Sequence, residues 1–221
     1  MTQHNTAIFA NSRRPGGPAS RVHRWLCRNI ETTCNRADAA LSPWKEELFG
    51  HARGTVLEVG AGQGLNYKYL RHANNYWALD PDPCFWDRLG AITNVVFSVG
   101  AESIPLPNDS VDAVIASMAL CSVRDLGLVV REIYRVLRPG GCFFLLEHVG
   151  APRGTSLRLT QRLLRSACCY LDCGCIPDRD IENAVRSSPF IVTDCSRFQL
   201  KLGTPLVRDW IAATARKPLA P

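Results

Sequence analysis

The sequence has no uninterrupted apolar run of the ~18 residues that a helix needs to cross a bilayer. Its longest uncharged apolar run, Ala113 to Val123, is too short. The opening stretch MTQHNTAIFANSRRPGGPASR lacks the apolar core of a secretory signal. It is polar and carries Arg, Pro and Gly, so residues 1–20 are expected to form a disordered tail. Without an export signal, the ten cysteines are expected to be reduced thiols rather than a disulfide framework, in a cytoplasmic protein. The formal net charge of +6 owes much to Arg13, Arg14, Arg21, Arg24 and Arg28 and to the arginines from Arg153 to Arg165. Neither block interleaves the aromatics that stack on nucleic-acid bases, which excludes nucleic acid as the expected partner. A solvated face is expected, and peripheral contact with an anionic membrane or an acidic substrate is the sharper alternative. No internal repeat is present.

What is there suffices for one large core: 221 residues, 46% of them hydrophobic. Residues 21–49 follow a helical pattern through Trp25, Ile30 and Cys34, and Ser42-Pro43 carries a helix-start signal. Strands and helices then alternate. TVLEVG is a strand, 64–71 a helix, and YWALD a second strand ending at Asp80. PCFWDRLG is a short helix, NVVFSVG a third strand, and VDAVIAS a fourth, buried on both faces. The helix over 124–137 has an apolar stripe of Leu126, Val129, Val130, Ile133 and Leu137 and is stopped by RPGG. CFFLLEHV is a fifth strand. Such alternation predicts a parallel sheet with helices on both faces. Residues 155–171 suit an amphipathic helix with Leu157, Leu164, Cys168 and Leu171 on one face and Arg158, Arg162 and Arg165 on another. FIVTDCSRFQLK and LVRDWIAATARK, separated by LGTP, predict a closing hairpin at one sheet edge.

The stretch VLEVGAGQG, residues 56–64, spaces Gly60, Gly62 and Gly64 two apart at the end of a strand. A dinucleotide fingerprint needs G-x-G-x-x-G, a different spacing. Glu58 precedes Gly60 by two residues, and a carboxylate there repels a pyrophosphate. It suits a cationic nucleoside such as S-adenosylmethionine, which has a sulfonium and an ammonium and no phosphate. Asp80 closes the second strand at the distance where an acid accepts hydrogen bonds from ribose hydroxyls.

On VLEVGAGQG, ALDPDP, GAESIPLPNDSVDAVIAS and EIYRVLRPGGCFFLLEHV, which span residues 55–149, the sequence resembles the class I S-adenosylmethionine-dependent methyltransferases. The resemblance implies an α/β, Rossmann-like, three-layer α/β/α sandwich around a seven-stranded sheet with an antiparallel final strand. It implies S-adenosylmethionine as cofactor across the carboxyl ends of the first strands. Carried over by position, Gly60, Ala61, Gly62 and Gly64 line the cofactor loop. Asp80 and Pro81 meet the ribose, and Glu58 lies beneath the methionine moiety. Many relatives have GDAE where this chain has GAES, so the acid that meets the adenine amino group is missing at Gly100, and Ala101 or Glu102 must serve instead.

LCSV (120–123) and EHV (147–149) narrow the resemblance to a subgroup that includes animal thiol S-methyltransferases and bacterial relatives, and LDCGCIPDRD is similar to its DGC turn. The animal members carry an N-terminal membrane anchor that is not expected here. A small, largely apolar thiol is therefore the expected acceptor. A quinone-like or natural-product acceptor methylated on carbon, oxygen or nitrogen is one alternative, and a non-catalytic cofactor-binding protein is another. His148, at the end of the fifth strand, is the expected general base. Ser117, Met118 and Leu120 should face the methyl group or acceptor, and Trp25, Trp44, Leu164 and Tyr170 an apolar pocket. Residues 21–50 and 151–189 are expected to close over the acceptor as lid and cap, around a core of 51–150 completed by the strands of 190–221. Cys121 and Cys142 are expected to be small buried hydrophobes. CCYLDCGC, Cys168 to Cys175, matches no zinc spacing, so no metal ligands are assigned there and a Gly turn at a helix end is expected; metalloid methylation through these thiols is a further alternative.

Overall fold

The computed structural model describes residues 21–171, 174–202 and 205–219, and in the first helix it describes side chains at Thr32 and from Cys34 onward. The Trp25 side chain, Cys173 and the 1–20 tail fall outside what is described. Strands β1 (Arg53–Val59), β2 (His72–Leu79), β3 (Val96–Phe97), β4 (Val111–Ser117), β5 (Leu137–His148), β6 (Ile191–Gln199) and β7 (Asp209–Arg216) form one sheet in the order β3-β2-β1-β4-β5-β7-β6. Only β7 runs against its neighbours, antiparallel to both β5 and β6. The reversal from β1 outward in both directions leaves the carboxyl ends of β1 and β4 side by side, the crevice where open α/β sheets take ligands.

Alternation along the strands divides the core in two. Leu57, Val59, Val114, Ala116, Phe143 and Leu145 face one side. There they meet Val129, Val130 and Ile133 of α3 (Leu126–Val136) and Val185 of α5 (Ile181–Arg186). Val56, Ala78, Ile115, Phe144 and Leu146 face the other side. They bury Leu41, Leu48 and Phe49 of α1 (Arg21–Phe49) and Leu89 of α2 (Pro83–Gly90). Helices on both faces of a parallel sheet are what buried, nearly all-apolar strands require.

Several elements differ from expectation for physical reasons. Pro43 starts no new helix; it lies inside α1. Its missing N–H would strand the Ala39 carbonyl, but the Ser42 hydroxyl donates to that oxygen at 3.0 Å, so the helix runs on. The half of α1 from Ala37 onward belongs to the core. Buried Lys45 pairs with Asp38 at 2.9 Å, and Asp38 also accepts from Lys68 at 2.6 Å, which ties α1 to the chain after the glycine loop. The helix expected over 64–71 shrinks to a single turn, Tyr67–Tyr69, because the backbone leaves helical geometry at Leu70; Asn66, its N-cap, turns its side chain inward to Glu58. Helix α4 (Ser156–Leu171), expected as part of a cap, buries only Gln161; Leu159, Leu163, Leu164 and Leu171 are exposed. Gly174, with φ +85°, then returns its N–H to the Cys169 carbonyl at 3.0 Å, the expected glycine turn.

Pro43 is exposed, so its replacement disturbs no packing. Pro43→Ala restores an N–H facing Ala39. A proline inside a helix costs roughly 3 kcal/mol relative to alanine, and a more flexible unfolded chain offsets about 1 kcal/mol of the gain. The variant should melt roughly 2–8 °C higher by circular dichroism. A lower melting point would show that the helix gains nothing from the restored N–H.

Candidate active site

The loop after β1 is built on left-handed backbone. Gly60, Gly62 and Gly64 have φ of +68°, +50° and +71°, values that L side chains rarely adopt. A Cβ on Gly60 would stand 2.5 Å from that of Ala119, whereas nothing lies within 4 Å above Gly62. The N–H groups of Gly60 and Ala61 both bond to the Leu79 carbonyl, at 2.8 and 3.1 Å. Gly62 donates to Asp80 Oδ2 at 2.8 Å, while Asp80 Oδ1 accepts from the Asp82 N–H at 2.8 Å. Each carboxylate oxygen of Asp80 thus keeps a second acceptor site for a ligand hydroxyl. Burial pushes Asp80 up to about 6. Pro81 beside it is exposed, and Ala101 is buried.

Glu58 is fully buried and accepts from Asn66 Nδ2 at 2.6 Å and from the Tyr76 hydroxyl at 2.5 Å. Burial raises it to about 7, against the pull of those two bonds. The sequence assigned no site role to Asn66 or to Tyr76, the first residue of YWALD.

Opposite this loop, β4 ends at Ser117 and the chain turns through Met118, whose φ is +55°. The turn is held by Glu147, buried in β5, whose Oε1 accepts the N–H groups of Ala119 and Leu120 at 2.9 and 3.0 Å. Its pKa rises to about 8, chiefly through burial and then through the charge of Cys121. Glu147 was also missed, although a lone acid inside FFLLEHV was the available signal. Ser117 Oγ, Glu147 Oε2, Asn66 Oδ1 and Gln63 Nε2 are buried with no hydrogen-bond partner among the described residues. Such orphans are costly and point to a polar ligand. Open space above Gly62, the acceptor capacity of Asp80, and orphaned buried donors and acceptors fit a cationic nucleoside cofactor.

The remaining expected residues separate. Leu120 is fully buried. Trp44 stacks on Phe198 at 4.1 Å, Phe198 on Trp210 at 6.4 Å, and Trp210 meets the His148 ring edge-on at 5.8 Å, an aromatic wall from α1 to the end of β5. Tyr170 and Leu164 line no such wall; Tyr170 is 89% exposed on α4. Glu102, expected at the adenine, accepts at its Oε1 from the N–H groups of Arg124 and Asp125, at 2.7 and 3.4 Å. Cys121 is more than a small hydrophobe. With His148 and Cys175 it forms a buried group whose ligand-type atoms lie within 4.8 Å of one another. His148 Nε2 is 3.3 Å from Cys175 Sγ. The hydrogen bond from Cys175 holds the Cys121 thiol well below its ordinary range despite burial, and His148 adds to the effect. A groove of ≈ 610 Å³ lined by Arg53, Asp112, Cys142 and Arg216 lies at the other, amino end of the strands.

This geometry is that of a class I methyltransferase, with the cofactor crevice at the carboxyl ends of β1, β2 and β4. The family profile described as a methyltransferase domain matches residues 57–145. The chain is 32% identical over 190 residues to thiol S-methyltransferase TMT1A of Homo sapiens, covering 78% of each protein. It is 29% identical over 178 residues to thiol S-methyltransferase TMT1B of Rattus norvegicus, covering 73% of each. Among solved structures, the YcgJ protein from Bacillus subtilis superposes with a TM-score of 0.64 at 16% identity, over 82% of this chain and 99% of that one. A geranyl diphosphate methyltransferase in complex with SAM gives 0.64 at 14% identity, over 91% and 93%. The chain belongs to the S-adenosylmethionine-dependent methyltransferases, and S-adenosylmethionine is its cofactor. No described helix is long and apolar enough to cross a membrane.

Glu147→Ala strands the buried Leu120 N–H, at about 1–3 kcal/mol, and leaves the half-buried Ala119 N–H without its carboxylate. Glu147→Gln keeps an oxygen for both and should lose far less in urea titration. Equal losses for the two variants would refute the bracing role.

Proposed function

We propose that the chain S-methylates a small-molecule thiol. The observation that carries the reading is the pairing of a cofactor crevice with an acceptor side made of a buried imidazole and two thiols. The thiol S-methyltransferase relatives, aligned over most of the chain, support it. The cofactor supplies an electrophilic methyl on a sulfonium, and methyl transfer is an in-line displacement in which the protein mainly positions and dehydrates the partners.

In this reading Gly60, Ala61, Gly62 and Gly64 admit the cofactor, and Asp80 takes its ribose hydroxyls. Ser117, Met118 and Glu147 bound the methionine end, with Glu58 beneath. The adenine meets backbone near Ala101, since the Glu102 carboxylate already holds the start of α3. His148 stands on the acceptor side, with the Trp44–Phe198–Trp210 wall behind it. A thiol needs the least activation of the common acceptors, because its ordinary pKa of about 8.5 leaves part of it ionised at neutral pH.

Two measurements test this. Glu58 and Asp80 titrate near 7 and 6 in the folded chain, so at pH 6.5 both are partly protonated. A cation bound beside them favours the ionised forms and lowers both pKa values, so binding must release protons. Calorimetry at pH 6.5 in buffers of different ionisation enthalpy should show net release, fading by about pH 9, where the acids are already ionised. Proton uptake would contradict the placement.

The second is a panel of thiol, phenol, quinol and amine acceptors read by mass spectrometry for one added methyl. Thiols should be methylated fastest. His148→Ala should lower turnover on them by about 10²-fold or more while leaving cofactor affinity nearly unchanged. Preference for a quinol or phenol would favour carbon or oxygen transfer; cofactor binding with no turnover on any acceptor would favour a non-catalytic role.

A further inference from the structure

We propose that Cys121, His148 and Cys175 bind one zinc ion whose fourth position takes the sulfur of the acceptor. Three separate segments meet there: the turn after β4, the end of β5 and the chain after α4. Backbone bonds hold them in place. The Ile176 N–H donates to the Cys121 carbonyl at 3.0 Å, and the Gly150 N–H to the Arg179 carbonyl at 3.0 Å. Arg165 clamps buried Asp178 through two bonds of 2.9 and 2.6 Å. The Cys121 and Cys175 sulfurs and the His148 imidazole therefore converge without relying on flexible side chains alone.

The donor set selects the metal. Thiolate and imidazole together suit zinc rather than magnesium or calcium, which take oxygen. Two thiolates and a neutral imidazole sum with Zn²⁺ to no net charge, which is what a site only 3–5% exposed can hold. Around tetrahedral zinc, with Zn–S of about 2.3 Å and Zn–N of about 2.0 Å, ligand atoms lie roughly 3.5–3.8 Å apart. The observed group, within 4.8 Å and with one pair at 3.3 Å, needs only small adjustments. No fourth Cys, His, Asp or Glu joins the group among the described residues. Three protein ligands with one open position is the pattern of catalytic rather than structural zinc.

The place is right for the chemistry. Cys121 lies three residues beyond Met118, and its Sγ sits 3.7 Å from the Met118 carbonyl, on the turn that borders the cofactor crevice. As the acceptor sulfur coordinates, its proton passes to solvent, and the site takes one negative charge that the cationic sulfonium opposes. Its electron pair then forms the new S–C bond, the C–S bond of the sulfonium breaks, and that pair stays on the departing sulfur. The methylated product, a neutral thioether, is a weak ligand and leaves. The metal site stands on the geometry alone; its role with the acceptor rests on the thiol reading.

The full chain, purified without chelator, should carry about one zinc per chain by elemental analysis. Cys121→Ser and Cys175→Ser should each retain less than a tenth of that. Cys195→Ser, on β6, should retain all of it, with folding of each variant checked by circular dichroism. Cobalt substituted for zinc should show thiolate charge-transfer absorption, and its visible bands should shift when a small thiol such as 2-mercaptoethanol is added but not with ethanol. Folded wild-type chain that takes up no zinc or cobalt, or that holds Cys121 and Cys175 as a disulfide, overturns the site. Zinc-stripped chain that methylates thiols at the full rate overturns the acceptor role and leaves the thiol reading intact. Zinc-loaded chain that methylates other acceptors and no thiol overturns the thiol reading while the metal site stands.

Discussion

Glu147 takes the two N–H groups that follow Met118, and both halves of the site depend on that grip. Met118 holds a positive φ that a side chain adopts only under constraint. The carboxylate supplies the constraint from a neighbouring strand, across 27 residues of sequence. On one side of the turn lies Ser117, at the mouth of the crevice; on the other lies Cys121, within reach of His148 and Cys175. A carboxylate buried this deeply costs free energy unless it is hydrogen-bonded. Here the bonds it makes shape the site.

Glu58, Asp80 and Glu147 stand near the ends of β1, β2 and β5, three acids that burial pushes up to about 7, about 6 and about 8. That is the opposite of a phosphate cradle and fits a ligand of positive charge. The fold alone does not dictate the chemistry. A [4+2]-cyclase, SpnF, superposes on this chain with a TM-score of 0.60 at 17% identity. In the proposed reading, what distinguishes one member from another is the acceptor side, and the sulfur and imidazole of Cys121, Cys175 and His148 would form it here.

The central sheet was legible because β1, β4 and β5 contain short apolar runs, and β1 and β2 end at Gly60 and Asp80. VDAVIAS coincides with β4, and PCFWDRLG with α2. The glycine loop and Asp80 were legible because left-handed backbone and a strand-end acid leave marks in local spacing. The elements that failed did so through contacts that local spacing does not encode. Asn66 commits its side chain to Glu58, and the Ser42 hydroxyl lets α1 run through a proline expected to start a helix. Cys121 looked apolar by its neighbours, and Cys175 seemed part of the 168–175 run. Their convergence with His148 depends on where α4 delivers the chain, which no motif records.

The sheet's two margins are unlike each other but share a consequence. At one, β3 contributes only two residues. At the other, β6 sets Asp194 and Arg197 among side chains that are mostly exposed. A rim that short, or that charged, gives a stray β-strand from another molecule little to register against. Neither border of the seven-stranded sheet therefore offers a long apolar edge for a further strand to extend.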